Sequence, residues 1–342
     1  MIMTDRIKIL AIGLVCLIII PIQSVAQNKA VPVIYDTDMG PMTDDVGAIA
    51  MLHALADKGE AEILATIASN RHPTIAQVID VFNTYYGRPN IPIGVPKGVA
   101  VEIKDAPEVC CYGGWTNYIV QNYPTDIRSN EVVPGAVEVY RKVLSEQPDN
   151  SVTIVTVGFM TNLSDLLVSG PDEYSDLNGE DLVKTKVKEL VSMAGTFSGS
   201  VTDPQGPDKE YNLYMDARAS KHVFEEWPTE IIFSGFALGA KVRSGGPIIK
   251  SSDMNHSPIQ DVMRMVSSGS SGGSFDQTAI LAAVYGAETY FDVVSGRITV
   301  DWDGSNGWDS SGNGHYYLKE KKEGFRDAEE KINELLMHQP TR

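Results

Sequence analysis

Residues 31–50 constrain the fold of this chain more than any other stretch. The run 31–35 is apolar and rich in β-branched residues, which spells a buried strand, and it delivers Asp36 and Asp38 at its end. Gly40 and Pro41 turn the chain. Asp44 and Asp45 then open an amphipathic helix that continues through Ala50 and Leu55. Four carboxylates therefore converge on one strand-to-helix turn, and like charges that close repel one another unless a cation sits among them. Ca²⁺ takes six to eight oxygen ligands and suits such a cluster better than Zn²⁺ does. Helix N-capping alone accounts for Asp44 or Asp45, but not for Asp36 and Asp38 as well.

The same alternation of strand and helix recurs downstream. Strands are expected at 62–69, 91–95, 151–158, 187–194 and 230–234. Helices are expected at 74–86, 135–146, 162–168 and 217–226, with an apolar helix opening at Phe275–Asp276. A charged helix over 319–338 places Ala328, Ile332, Leu335 and Leu336 on one face, and residues 100–131 read as an irregular surface excursion. Repeated strand–helix–strand units with buried strands imply an open, mostly parallel α/β sheet flanked by helices, here a single domain over residues 27–342. Ligands of such sheets bind beyond the carboxyl ends of the strands. The Asp cluster, Asn70, Gly158 and Gly195 all fall at such ends. The low-complexity run 267–274 is expected as a mobile loop at the site mouth.

The N-terminus reads as a targeting segment. Arg6 and Lys8 precede an apolar run over 9–22, and Ser24-Val25-Ala26 offers small residues for cleavage, so residues 1–26 are expected to be an export signal. The expected location is periplasmic or extracellular, with an uncleaved anchor as the alternative; no other segment approaches membrane length. Cys16, between Val15 and Leu17, is a poor lipid-attachment site. The formal charge of −17 repels phosphate backbones and argues against nucleic-acid polymers, while it fits a neutral substrate held through a cation. Cys110 and Cys111 are adjacent and cannot staple a fold, and no Cys/His spacing matches a zinc site.

The 31–50 segment resembles the signature of the nucleoside hydrolase family (inosine-uridine preferring N-ribohydrolases), Asp-x-Asp-x-Gly followed by Asp-Asp. Three residues, 41–43, separate Gly40 from the pair here, where the commonest form has one. Further motifs follow in the family's order. Residues 156–162, Thr-Val-Gly-Phe-Met-Thr-Asn, are similar to the strand end Pro-Thr-Gly-x-Leu-Thr-Asn. Residues 210–216, Glu-Tyr-Asn-Leu-Tyr-Met-Asp, are similar to Glu-Phe-Asn-x-x-x-Asp. Asp276 matches a late Asp at a helix start, and Asn70 an Asn beside the sugar.

The resemblance implies Ca²⁺-dependent hydrolysis of the N-glycosidic bond of a nucleoside by an activated water. It implies Asp38 as base and metal ligand, Asp45, Asp276 and the Val157 carbonyl as further ligands, and Asp36 as their support. Asp44, Glu210 and Asn212 would bind sugar hydroxyls, with Asn70 beside the sugar and the water. Homo-oligomers are common in the family, so a dimer or tetramer is possible. Two departures stand out. Phe275 occupies the place where many members carry a His that protonates the leaving base, and Asp203-Pro204-Gln205 replaces an Asn that often precedes the Glu. His315 is the one histidine in a turn-rich polar setting, and Trp302, Trp308, Tyr316 and Tyr317 are candidates for a stacking wall. Two other readings stay open at this point. One is a Ca²⁺-dependent nucleoside- or sugar-binding protein without the acid. The other is a haloacid-dehalogenase-like phosphatase using Asp36, Thr156 and Lys209.

Overall fold

The computed structural model describes residues 29–40, 42–103, 112–197, 203–254, 256–267 and 269–340. Residues 1–26, expected as an export signal, Pro41 and the Cys110–Cys111 pair lie outside the described residues. Six strands, β1 (Val31–Thr37), β2 (Ala61–Ala68), β3 (Ile93–Gly94), β4 (Val152–Thr156), β5 (Val187–Ser192) and β6 (Glu230–Phe233), are parallel and lie in the order β3-β2-β1-β4-β5-β6. β7 (Arg243–Ser244) and β8 (Gly272–Gly273) pair separately. β9 (Asp292–Val300), β10 (Asn306–Asp309) and β11 (His315–Lys319) continue the main sheet beyond β6. β11 joins β6 in parallel, and β9 and β10 close that edge as antiparallel neighbours.

Strand order reverses between β1 and β4, which leaves a crevice at their carboxyl ends. The ladder there is tight: Val157 N–H donates to the Asp36 carbonyl at 2.8 Å, and Ser69 N–H to the Thr37 carbonyl at 2.8 Å. Both sheet faces are covered, as the β1 residues show, since Val33 and Tyr35 enter one apolar core and Ile34 the other. The helix Asp44–Asp57 is buried from Asp44 through Leu55. It is therefore wrapped on all sides rather than amphipathic. Its mid-helix polar residue, His53, bonds the Asn83 side chain through Nε2 at 3.0 Å.

Three expectations need correction. The stretch 100–131 contains the helix Tyr112–Asn122, whose Trp115 and Ile119 are 1% and 0% exposed. Together with Tyr123 they form an i, i+4, i+8 stripe, which two weak helix formers, Gly113 and Gly114, obscure. Trp115→Ala is expected to lower stability by about 3–5 kcal/mol, read in a urea melt. A loss below about 1 kcal/mol would mean that the helix is not part of the core. The charged C-terminal helix is shorter than its charge pattern suggests, Arg326–Leu336, because Lys319 ends β11. Finally, the end of the Gly/Ser-rich run, 272–274, is tied down: Gly272 and Gly273 pair with Ser244 and Arg243, and Ser244 and Ser274 share a 2.6 Å hydrogen bond.

Candidate active site

At the crevice a cavity of about 340 Å³ opens, with Asp38, Asp44, Asp45, Asp203, Glu210 and Asp276 in its wall. The turn after β1 builds its floor. Met39 takes φ +50° and Gly40 φ +146°, and this turns both amides onto Asp45. Met39 N–H and Gly40 N–H each donate to the Asp45 carboxylate at 3.0 Å, and the Thr37 hydroxyl donates to its Oδ1. Asp45 is thus fixed before any ligand arrives. Carboxylate oxygens of Asp44, Asp45 and Asp276 lie within 4.8 Å of one another, a spacing that one cation can span.

Electrostatics make the need for a counter-charge plain. Burial pushes Asp45 up to about 6, against the pull of its hydrogen bonds, and burial with the Asp45 charge pushes Asp44 up to about 8. Asp38 and Asp276 are driven well above the usual carboxylate range by burial and then by the neighbouring aspartates. Asp38 and Asp45 face each other closely enough to share a proton. The donor set is all hard oxygen, which fits Ca²⁺ or Mg²⁺ and not a zinc site.

Each residue singled out in the sequence can now be placed. Asn212 lines the cavity and its Nδ2 donates to the Val157 carbonyl at 3.2 Å and the Met193 carbonyl at 3.1 Å. Glu210 caps the next helix, accepting from the N–H groups of Asn212 (2.9 Å), Leu213 (3.2 Å) and Gly195 (3.2 Å); burial nevertheless lifts it to about 7. Asn70 does not line the cavity. Its Nδ2 donates to the Asp38 carbonyl at 2.7 Å, so it holds the turn from behind. Asp36 is also set back, accepting from Tyr140 (2.8 Å) and Asn162 (3.1 Å), and burial raises it to about 7. Asp44 stands inside the three-aspartate cluster, where the sequence had given it to a sugar hydroxyl.

Gly158 explains how closely β4 approaches this turn. A Cβ there would lie 2.3 Å from Ser69 Oγ and 2.5 Å from the Asp38 nitrogen. Gly158→Ala is therefore expected to displace Asp38 and lower kcat about 100-fold, the scale of a 1 Å misplacement. Parent-level kcat in that variant, with its melting temperature unchanged, would show that Asp38 is not positioned by this contact.

Several candidates lie elsewhere. His315 pairs with Ile231 near the start of β6, at the opposite end of the sheet, and accepts a hydrogen bond from Ile298 N–H. Trp308 and Tyr317 pack around Phe197, Tyr316 bonds Glu230, and Trp302 is 72% exposed beside Lys221, so these four make no wall for the cavity. The aromatic wall comes instead from Tyr211, Phe236 and Phe275, the last two with ring centroids 5.2 Å apart. Phe236 follows Gly235 at the carboxyl end of β6, and that strand-end position was the signal that could have identified it. Lys209 turns away onto Asp303 at 3.0 Å, which removes it from any phosphatase scheme.

A doubly wound α/β sheet with buried carboxylates at its switch point and a small cavity above them is the site of an α/β enzyme that acts on a small molecule, and the family that the chain matches is one of N-glycosyl hydrolases. Residues 33–326 match the family described as inosine-uridine preferring nucleoside hydrolase, and the chain belongs to it. Among solved structures, a plant nucleoside hydrolase is similar at 18% identity with a TM-score of 0.66, over 89% of this chain and 98% of that one. An inosine-uridine preferring nucleoside hydrolase from Bacillus anthracis is similar at 14% identity and TM-score 0.64, over 90% and 99%. The type III effector protein XopQ, complexed with adenosine diphosphate ribose, is similar at 14% and 0.66, over 90% and 93%. At such identities the likeness is one of fold. No curated protein matches the sequence.

Proposed function

We propose that this chain hydrolyses the N-glycosidic bond of ribonucleosides, releasing ribose and the free base, with Ca²⁺ as its cation. The convergence of Asp44, Asp45 and Asp276 within 4.8 Å, with Asp38 against Asp45, carries the reading. The residues that would hold the ion are Asp38, Asp45, Asp276 and the Val157 carbonyl, with Asp44 beside them. A divalent cation there supplies charge to orient a water and make it more acidic.

The chain's own residues do the rest. Asp38 takes the proton from the attacking water, and Asn70 keeps Asp38 aimed by holding its carbonyl. Asn212 and Glu210, fixed by backbone groups, present their remaining polar capacity to the sugar. Asp44 takes a hydroxyl when substrate enters. The apolar wall of Phe236, Phe275 and Met193 receives the base and excludes water around it. Residues 1–26 are proposed as a cleaved export signal, and N-terminal sequencing of the secreted protein should begin at Gln27.

A panel of ribonucleosides with their 2′- and 3′-deoxy analogues tests the reading. Ribonucleosides should release base, and each deoxy analogue should lose at least tenfold in kcat/KM, since a site built to bond a hydroxyl rejects its absence. Equal turnover of ribo and deoxy compounds would remove Asp44, Glu210 and Asn212 from sugar recognition.

A further inference from the structure

We infer that the preferred substrate is an N-riboside whose leaving base already carries a positive charge, a pyridinium-type heterocycle, because the cavity combines many carboxyls and an aromatic wall with, among the described residues, no basic side chain or histidine. The inference rests on the N-glycosidase reading and narrows it.

A neutral base leaves well only when its ring nitrogen gains a proton as the C1′–N bond breaks, and general acids contribute about 10²–10⁴-fold to such steps. Among the described residues lining the cavity no histidine, lysine or arginine occurs. The histidines are engaged elsewhere: His53 with Asn83, His72 with Thr74, His222 with Ser164, His338 with Asp57, His256 against Tyr123, and His315 at the far end of the sheet. Tyr211 does line the cavity, but burial and the nearby Asp38, Glu210 and Asp203 push its phenol up to about 12, so it gives up its proton reluctantly. Glu210 is bonded as an acceptor to three backbone N–H groups, and Asp203 accepts from Gln205 N–H at 2.8 Å.

A cationic base removes the need for an acid. As the C1′–N bond breaks, its electron pair passes to the ring nitrogen and cancels the positive charge. The oxygen of water joins C1′, and the one proton released goes to Asp38 and then to solvent. The same charge favours binding. One divalent ion answers at most two of the negative charges that the six carboxyls in the wall can carry, and a cationic ring against Phe236 gains from the aromatic face. The net charge of −17 steers cations towards the protein as a whole.

The test compares nicotinamide riboside with inosine and uridine on the purified full chain with Ca²⁺, each rate being divided by its spontaneous hydrolysis rate. A second arm measures inhibition by 1-methylnicotinamide against uncharged nicotinamide, which reads charge recognition without turnover. The expected result is a preference of about 100-fold for the pyridinium riboside, the scale of the missing acid, with the cation inhibiting at least tenfold more tightly. Neutral nucleosides turning over within tenfold of the pyridinium riboside, or equal inhibition by the two amides, would overturn the inference while leaving the N-glycosidase reading intact. No base release from either class would overturn both.

Discussion

Asp38→Asn is expected to reduce kcat by about 10²–10⁴-fold while the protein stays folded. Asp38 is 3% exposed at the turn after β1, against Asp45, and the amide that replaces it is nearly isosteric. The amide cannot accept a proton from water at neutral pH. It also removes one member of a repelling carboxyl cluster, so the cation-free variant should melt no lower than the parent, and it should still bind nucleoside. Activity within about tenfold of the parent would eliminate Asp38 as the base. Inactivity accompanied by a large drop in melting temperature would mean that the residue is structural.

The second large effect concerns the cation, and its sign follows from the raised carboxyls. In the cation-free fold Asp44 titrates at about 8 and Asp45 at about 6, whereas both titrate near 4 in an unfolded chain. The unfolded chain therefore releases these protons first, and their contribution to stability falls as pH rises from about 4 to about 8. A divalent ion binds the ionised form and restores what is lost across the same window. Chelation is expected to abolish turnover at every pH, to change the melting temperature little near pH 4, and to lower it most near pH 8. At 100 times its dissociation constant, Ca²⁺ should add about 2.7 kcal/mol. Mg²⁺ should substitute poorly, because it demands octahedral geometry and keeps its waters. A chelated protein that turns over normally would remove the metal from the account.

The parallel strands were legible because burial on both faces leaves uninterrupted β-branched runs such as residues 151–157, and the strand-end rule then located the crevice without side-chain coordinates. The Asp36–Asp45 segment was legible because backbone turn and carboxylates are local to one another. What escaped depends on contacts far apart in the chain. Phe236 and Phe275 meet across a separation of 39 positions only because Gly239 and Gly273 let the Phe275 ring pack against them. A Cβ on Gly239 would come 2.5 Å from the Phe275 backbone. The stretch 303–314 is rich in Gly, Asp, Ser and Asn and hides the edge strands, so the aromatics around it were read as a stacking wall for the site, whereas Trp308 and Tyr317 in fact pack around Phe197 against the second core. Asp36 and Asn70 were found as polar strand-end residues. Only the hydrogen bonds to Tyr140, Asn162 and the Asp38 carbonyl reveal them as supports behind the cavity wall.

The central claim, that water adds to the sugar carbon of a nucleoside at this cavity, is tested most directly by one turnover experiment in ¹⁸O-labelled water. Purified protein with Ca²⁺ is mixed with a ribonucleoside, and the products are weighed by mass spectrometry. The account predicts free base without label and ribose carrying one ¹⁸O at C1′, in a one-to-one ratio, with none formed by Asp38→Asn. Label in the base, unlabelled ribose, or intact nucleoside after prolonged incubation would contradict it.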